Sequence, residues 1–124
     1  GKALIKPTVI YSSLISKLKK EIKACAHITG GGITENVPRV LPENLTAFIR
    51  CNSWKRDKIF DIVQEKANLD DSEMLKTFNC GIGMVIIAHK KNLKSILNKC
   101  KSLKSKVYQI GEITTYQGIS VIYD

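Results

Sequence analysis

The sequence has little of what marks a secreted, membrane-spanning or metal-binding chain. Its longest uninterrupted apolar run, Met84-Val85-Ile86-Ile87-Ala88, is far too short to cross a bilayer. No charged segment followed by an apolar stretch opens it, so a cytoplasmic protein without a secretory signal is expected. The four cysteines, Cys25, Cys51, Cys80 and Cys100, form no C-x-x-C pair, and no histidine pair stands at ligand spacing. That pattern argues for a reducing compartment and against a metal site. Aromatic residues are only 6% of the chain and Trp54 is the single tryptophan, so no basic run is interleaved with rings of the kind that stack bases. Acidic residues are outnumbered, 11 against 20 Lys and Arg, leaving a net charge of +9. The excess is mostly lysine and sits in two amphipathic stretches. Lys17, Lys19, Lys20 and Lys23 lie in the first; Lys90, Lys91, Lys94, Lys99, Lys101, Lys104 and Lys106 lie in or beside the second. It predicts a solvated basic surface opposite apolar stripes rather than a nucleic-acid interface.

What is present suffices for a core: 44% of the 124 residues are hydrophobic, enough for a single domain over residues 1–124. The first residue is glycine, which suggests a piece of a longer protein. An α+β fold is expected. A helix starting at Pro7-Thr8 carries Ile10, Leu14, Leu18 and Ile22, and a short apolar segment, Ala24 to Ile28, follows it. Leu45 to Cys51 alternates as a strand should. Asp57 is placed to cap a helix through Ile59, Phe60, Val63 and Ala67, and Asp71-Ser72 to start a shorter one with Met74, Leu75 and Phe78. Gly81 to Ala88 reads as a buried central strand, and Leu93, Ile96, Leu97, Cys100 and Leu103 as a helix stripe. Val107 to Ile113 and Ile119 to Tyr123 are expected to pair as a hairpin through Gln117-Gly118, closing a strand–helix–strand crossover.

The strongest chemical signal is Thr29-Gly30-Gly31-Gly32, followed by Asn36 and Arg39. Three consecutive glycines cost backbone entropy that a packed domain accepts only where it needs a positive φ or a bare backbone. Exposed amides with a guanidinium close by suit a phosphate or another anion, although a tight turn without ligand has the same composition. The run lacks the G-K-[S/T] ending of a P-loop and the G-x-G-x-x-G of a dinucleotide fold. His27, flanked by Ala26 and Ile28, is a candidate acid, base or phosphate contact, against the plainer expectation of a hydrogen-bonded core histidine. Asn79 to Met84 forms a second glycine-bearing turn, in which Cys80 has no neighbouring base to make it a nucleophile. Asp70 to Glu73 is expected to be a helix-start acidic cluster rather than a ligand set.

Several strings resemble one family. His27-Ile28-Thr29-Gly30-Gly31-Gly32-Ile33-Thr34-Glu35-Asn36-Val37-Pro38-Arg39-Val40-Leu41-Pro42 is similar to phosphoribosylformylglycinamidine cyclo-ligases, also called aminoimidazole ribonucleotide synthetases. So are Pro7-Thr8-x-Ile10-Tyr11, Ser53-Trp54, and Glu73-Met74-x-x-Thr77-Phe78-Asn79-Cys80-Gly81-Ile82-Gly83-Met84, in the same order from about residue 4 onward. The resemblance implies a two-domain, homodimeric enzyme that uses ATP and Mg²⁺ to close the imidazole ring of formylglycinamidine ribonucleotide. It implies that this chain is the C-terminal domain, a mixed sheet covered by helices, and that the ATP and metal ligands belong mainly to an N-terminal domain it does not contain. The fragment alone is then expected to be inactive. Its share would be to hold a substrate or nucleotide phosphate on Thr29, Gly30, Gly31 and Gly32, assisted by Asn36 and Arg39, with Asn79 and Gly81 lining the cleft. Formylglycinamidine ribonucleotide synthetase, selenophosphate synthetase, thiamine-monophosphate kinase and the hydrogenase-maturation dehydratase share the two-domain plan. Glu35 to Arg39 and Phe78 to Gly81 favour the cyclo-ligase. The alternative from another class is a free-standing basic module that binds RNA or a protein.

Overall fold

Helices and two small sheets alternate along residues 12–124, the part that the structure, a computed structural model, describes. Chain order is α1 (Ser12–Leu18), β1 (Ile22–His27), α2 (Gly32–Asn36), a 3-10 turn at Pro38–Val40, β2 (Leu45–Ile49), α3 (Lys58–Ala67) and α4 (Asp71–Thr77). Then come β3 (Met84–Ala88), a second 3-10 turn at Lys90–Asn92, α5 (Leu93–Ser102), β4 (Gly111–Thr115) and β5 (Val121–Tyr123). The α+β expectation holds. The predicted helix start at Pro7-Thr8 lies outside the described residues.

β1 and β3 form an antiparallel ribbon in which Ala26 faces Val85 and His27 faces Met84. Residues across from each other share a face, so the ribbon has two apolar sides. One side contributes Ala26, Val85 and Ile87 to the larger core, with Ile28, Ile33, Val37, Ala47, Ile49, Trp54, Met74 and Leu75. The other packs Ile22, Ile86 and Ala88 against Leu18, Ile96 and Cys100 of α1 and α5. The ribbon thus separates the two clusters, while the lysines of both amphipathic stretches stay exposed, as expected. No helix among the described residues is long and apolar enough to cross a membrane.

The second sheet has the order β4-β2-β5, with β4 antiparallel and β5 parallel to β2. This corrects the expected hairpin: β4 and β5 flank β2 instead of pairing with each other. The connection crosses the end of β2 on side-chain bonds. Buried Thr46 donates its hydroxyl to the Ile119 carbonyl at 2.7 Å and accepts from the Gln117 amide at 3.0 Å. The expected crossover is overturned too, because β3 and β4 belong to different sheets.

Three boundaries also move. Ile22 leaves the first helix for β1, because the chain turns at Leu18, whose carbonyl accepts from Glu21 N at 2.8 Å. The last segment becomes a strand only at Gly111, after Val107 has packed into the smaller cluster. Among the described residues β3 pairs only with β1 and starts at Met84, so Gly81 to Ala88 is not a central strand. Positive φ at Cys80 and Gly81 keeps residues before it in a turn.

Candidate functional site

The first glycine of the run, Gly30, stands three residues beyond the end of β1 at His27. Ile28 N bonds the Gly83 carbonyl at 3.0 Å, extending the ribbon and placing the two glycine-bearing turns side by side. Past it the chain reverses: Gly31 has φ 94° and Gly32 φ 60°, and Gly32 N donates to Thr29 O at 3.0 Å before α2 starts. These two glycines are required sterically. A Cβ on Gly31 would fall 2.7 Å from Glu35 Cβ. One on Gly32 would run into the Leu75 carbonyl oxygen and lie 2.6 Å from that of Phe78. Gly30 is different, with no neighbour within 4 Å of an added Cβ. The run is therefore closed at its second and third glycines and open at the first.

Asn36 holds this shape. It is 5% exposed, and its amide nitrogen donates to the carbonyls of Thr29 and Gly30 (both 3.2 Å) and of Gly32 (2.8 Å). Its oxygen accepts from Thr29 Oγ1 and from Arg39 Nη1, each at 3.3 Å. The side chain expected to assist a ligand is thus engaged with the loop itself. The Gly32 amide is likewise engaged within the loop, by Thr29 O. Among the described residues, no backbone bond uses the amides of Gly30 and Gly31. Arg39 is exposed at the 3-10 turn, tethered to the loop through Asn36.

The second turn is built in the same economical way. Asn79 Oδ1 accepts from Gly81 N at 2.9 Å and Asn79 O from Ile82 N at 2.9 Å. Buried Trp54 donates Nε1–H to Cys80 O at 3.0 Å, with the Arg56 guanidinium 5.8 Å from its ring centroid. Arg56 in turn pairs with Asp71 at 3.4 Å. Burial pushes the Cys80 thiol above its ordinary pKa, and its Sγ faces Met74 O at 3.5 Å. A protonated, enclosed thiol is a poor nucleophile.

Between the turns lies a cleft of about 340 Å³, lined by Ile28, Thr29 and Gly30 on one side and by Thr77, Phe78 and Asn79 on the other, with Phe60 from α3. The sequence-predicted residues Thr29, Gly30 and Asn79 meet there. Gly31, Gly32, Asn36, Arg39 and Gly81 are not in its lining, and Gly81 is exposed with its amide already bonded. His27 also lies outside the lining and is exposed rather than a core residue. Phe60 and Thr77 were not singled out from sequence. Phe60 was read only as part of a helix stripe, while Thr77 stood inside the quoted Thr77-Phe78-Asn79 string. No group of three or more His, Cys, Asp or Glu able to hold a metal ion occurs among the described residues.

A model of the C-terminal domain of AIR synthase related proteins matches residues 1–124. The chain belongs to that family. Curated relatives are named phosphoribosylformylglycinamidine cyclo-ligase. The protein of Chromobacterium violaceum is 45% identical over 118 residues, covering 94% of this chain and 34% of that protein. The one from Methylobacillus flagellatus is 49% identical over 109 residues, 86% of this chain and 32% of the relative. A chloroplastic cyclo-ligase of Arabidopsis thaliana is 40% identical over 122 residues, 97% and 31% respectively. The chain spans about a third of the length of these relatives. The AIR synthase family fold agrees with the helices and mixed sheet found here.

Proposed function

We propose that this chain is the C-terminal domain of a two-domain phosphoribosylformylglycinamidine cyclo-ligase. The full protein would be a cytoplasmic homodimer closing formylglycinamidine ribonucleotide to aminoimidazole ribonucleotide at the expense of ATP, in purine synthesis. In that reaction the formyl oxygen takes the γ-phosphoryl group of ATP and the amidine nitrogen attacks the formyl carbon. The C–O bond then breaks and phosphate leaves as the ring closes. The observation that carries the proposal is the meeting of Thr29-Gly30 and Phe78-Asn79 at one cleft, in a chain 45% identical to a curated cyclo-ligase.

This domain's share is positioning. The open amides at Gly30 and Gly31 and the guanidinium of Arg39 would hold a phosphate of substrate or nucleotide, while Asn36 keeps the loop carbonyls occupied. Glu35 crowds Gly31, so Gly30 is the better contact. Mg²⁺ and most ATP contacts would belong to the portion of the relatives that this chain does not span. The isolated chain is expected to be inactive.

The test is steady-state turnover of the full-length protein with formylglycinamidine ribonucleotide, following ADP release and aminoimidazole formation. Arg39→Ala is expected to lower kcat/KM by about 10- to 1000-fold, or ~1.5–4 kcal/mol of transition-state stabilisation. Unchanged kinetics would take Arg39 out of the site.

A further inference from the structure

Among the described residues the cleft carries no charge. None of its lining side chains is ionisable, and two are phenylalanines from different elements, Phe60 on α3 and Phe78 just after α4. Their ring centroids are 6.5 Å apart with planes at 59°, so they form a corner that offers surfaces in two directions. A phosphate dianion pressed into such a corner would lose its water without gaining a counter-charge. A neutral aromatic ring would lose little and gain stacking and edge contacts. The polar groups beside the corner suit ring nitrogens. Asn79 has its oxygen engaged by Gly81 N, which leaves its amide nitrogen to donate. The volume of about 340 Å³ lies at the lower end for small-molecule sites, which accommodates a ring and its immediate substituents more readily than a whole nucleotide. Arg39, tethered to the loop through Asn36, stays outside the lining.

We propose that the corner made by Phe60 and Phe78 seats a neutral nitrogen heterocycle of a nucleotide ligand, with that ligand's phosphate away from the rings, at the Gly30 rim of the cleft on the side of Arg39. This rests on the reading of the cleft as the substrate site and adds which part of the ligand enters it. The ring could come from the adenine of ATP or from the aminoimidazole of the product, which share this chemistry.

Calorimetry on the full-length protein separates these elements with four probes. Adenosine and aminoimidazole ribonucleoside carry a ring without phosphate; ribose 5-phosphate and inorganic phosphate carry the reverse. Phe78→Leu and Phe60→Leu are expected to weaken one of the two nucleosides by about tenfold while leaving ribose 5-phosphate unchanged. The nucleoside that responds identifies the source of the ring. Arg39→Ala is expected to do the opposite. Nucleoside binding that ignores both phenylalanine variants, or ribose 5-phosphate weakened as much as the nucleoside, would overturn the inference. A phosphate response to Arg39→Ala would meanwhile leave the proposed function standing. If neither probe class responds to any of the three variants, the cleft is not the substrate site and both proposals fail. Thermal unfolding of each variant checks its fold; should Phe78→Leu not fold, Phe60→Leu decides.

Discussion

Asn36 shows how a buried amide organises the loop it belongs to. Its position three residues before an arginine and four after the last glycine suggested a ligand contact. Yet a primary amide that is nearly fully buried finds its partners close by, and here those are three loop carbonyls. Sequence spacing cannot distinguish a side chain that grips a ligand from one that grips the loop. Asn36→Ala should strip the loop of these bonds and cost about 2–4 kcal/mol, measurable by urea unfolding. The glycines divide by the same logic. Gly32→Ala meets backbone carbonyls at a positive φ and is expected to cost about 2–4 kcal/mol. Gly30→Ala, with open space and no positive φ, should leave stability within about 0.5 kcal/mol while weakening ligand binding. Equal destabilisation by the two substitutions would mean that the loop has no open end. Three identical letters in a row gave no hint of this division.

At the level of elements, the long amphipathic patterns were legible and the pairing of strands was not. The stripe of α5 and the acidic start of α4 appear where periodicity and capping chemistry put them. α4 carries a full capping box: Asp70 Oδ1 accepts from Glu73 N at 2.8 Å, and Glu73 Oε2 from Asp70 N at 3.0 Å. Asp57 stands at the cap position of α3 but makes no side-chain bond there. Asp70→Ala is therefore expected to cost about 1 kcal/mol, seen as a lowered thermal midpoint, and Asp57→Ala clearly less. Because α4 ends beside Phe78 and its carbonyls back Gly32, this cap also steadies one wall of the cleft. The hairpin expectation failed for β4 and β5 because adjacency in sequence is only a tendency. β2 offered two free edges, and Thr46 bound the connecting segment across its end.

Across the molecule, the glycine loop is fastened to the three-stranded sheet through Tyr123. Its hydroxyl shares a 2.7 Å hydrogen bond with Thr34 Oγ1 of α2, and burial pushes its pKa up to about 12. The folded state thus holds the tyrosine proton more tightly than the unfolded chain does. That contribution is complete below about pH 10 and is lost as the pH rises through about 12. Thermal midpoints measured across this range should fall, and Tyr123→Phe should flatten that part of the decline. Neither Thr34 nor Tyr123 stood out in the sequence, since a bond between residues so distant leaves no local pattern. What the chain did disclose was the family's motif strings, whose two glycine turns converge because β1 and β3 are neighbours.

The strand order of the second sheet has a consequence during synthesis. β2 is made before either of the strands that flank it, β4 and β5. Until those strands emerge, β2 has two bare edges and no native neighbour. A nascent or truncated product ending before Gly111 would expose an adhesive ribbon to other chains, a natural client for chaperones and a seed for inclusion bodies.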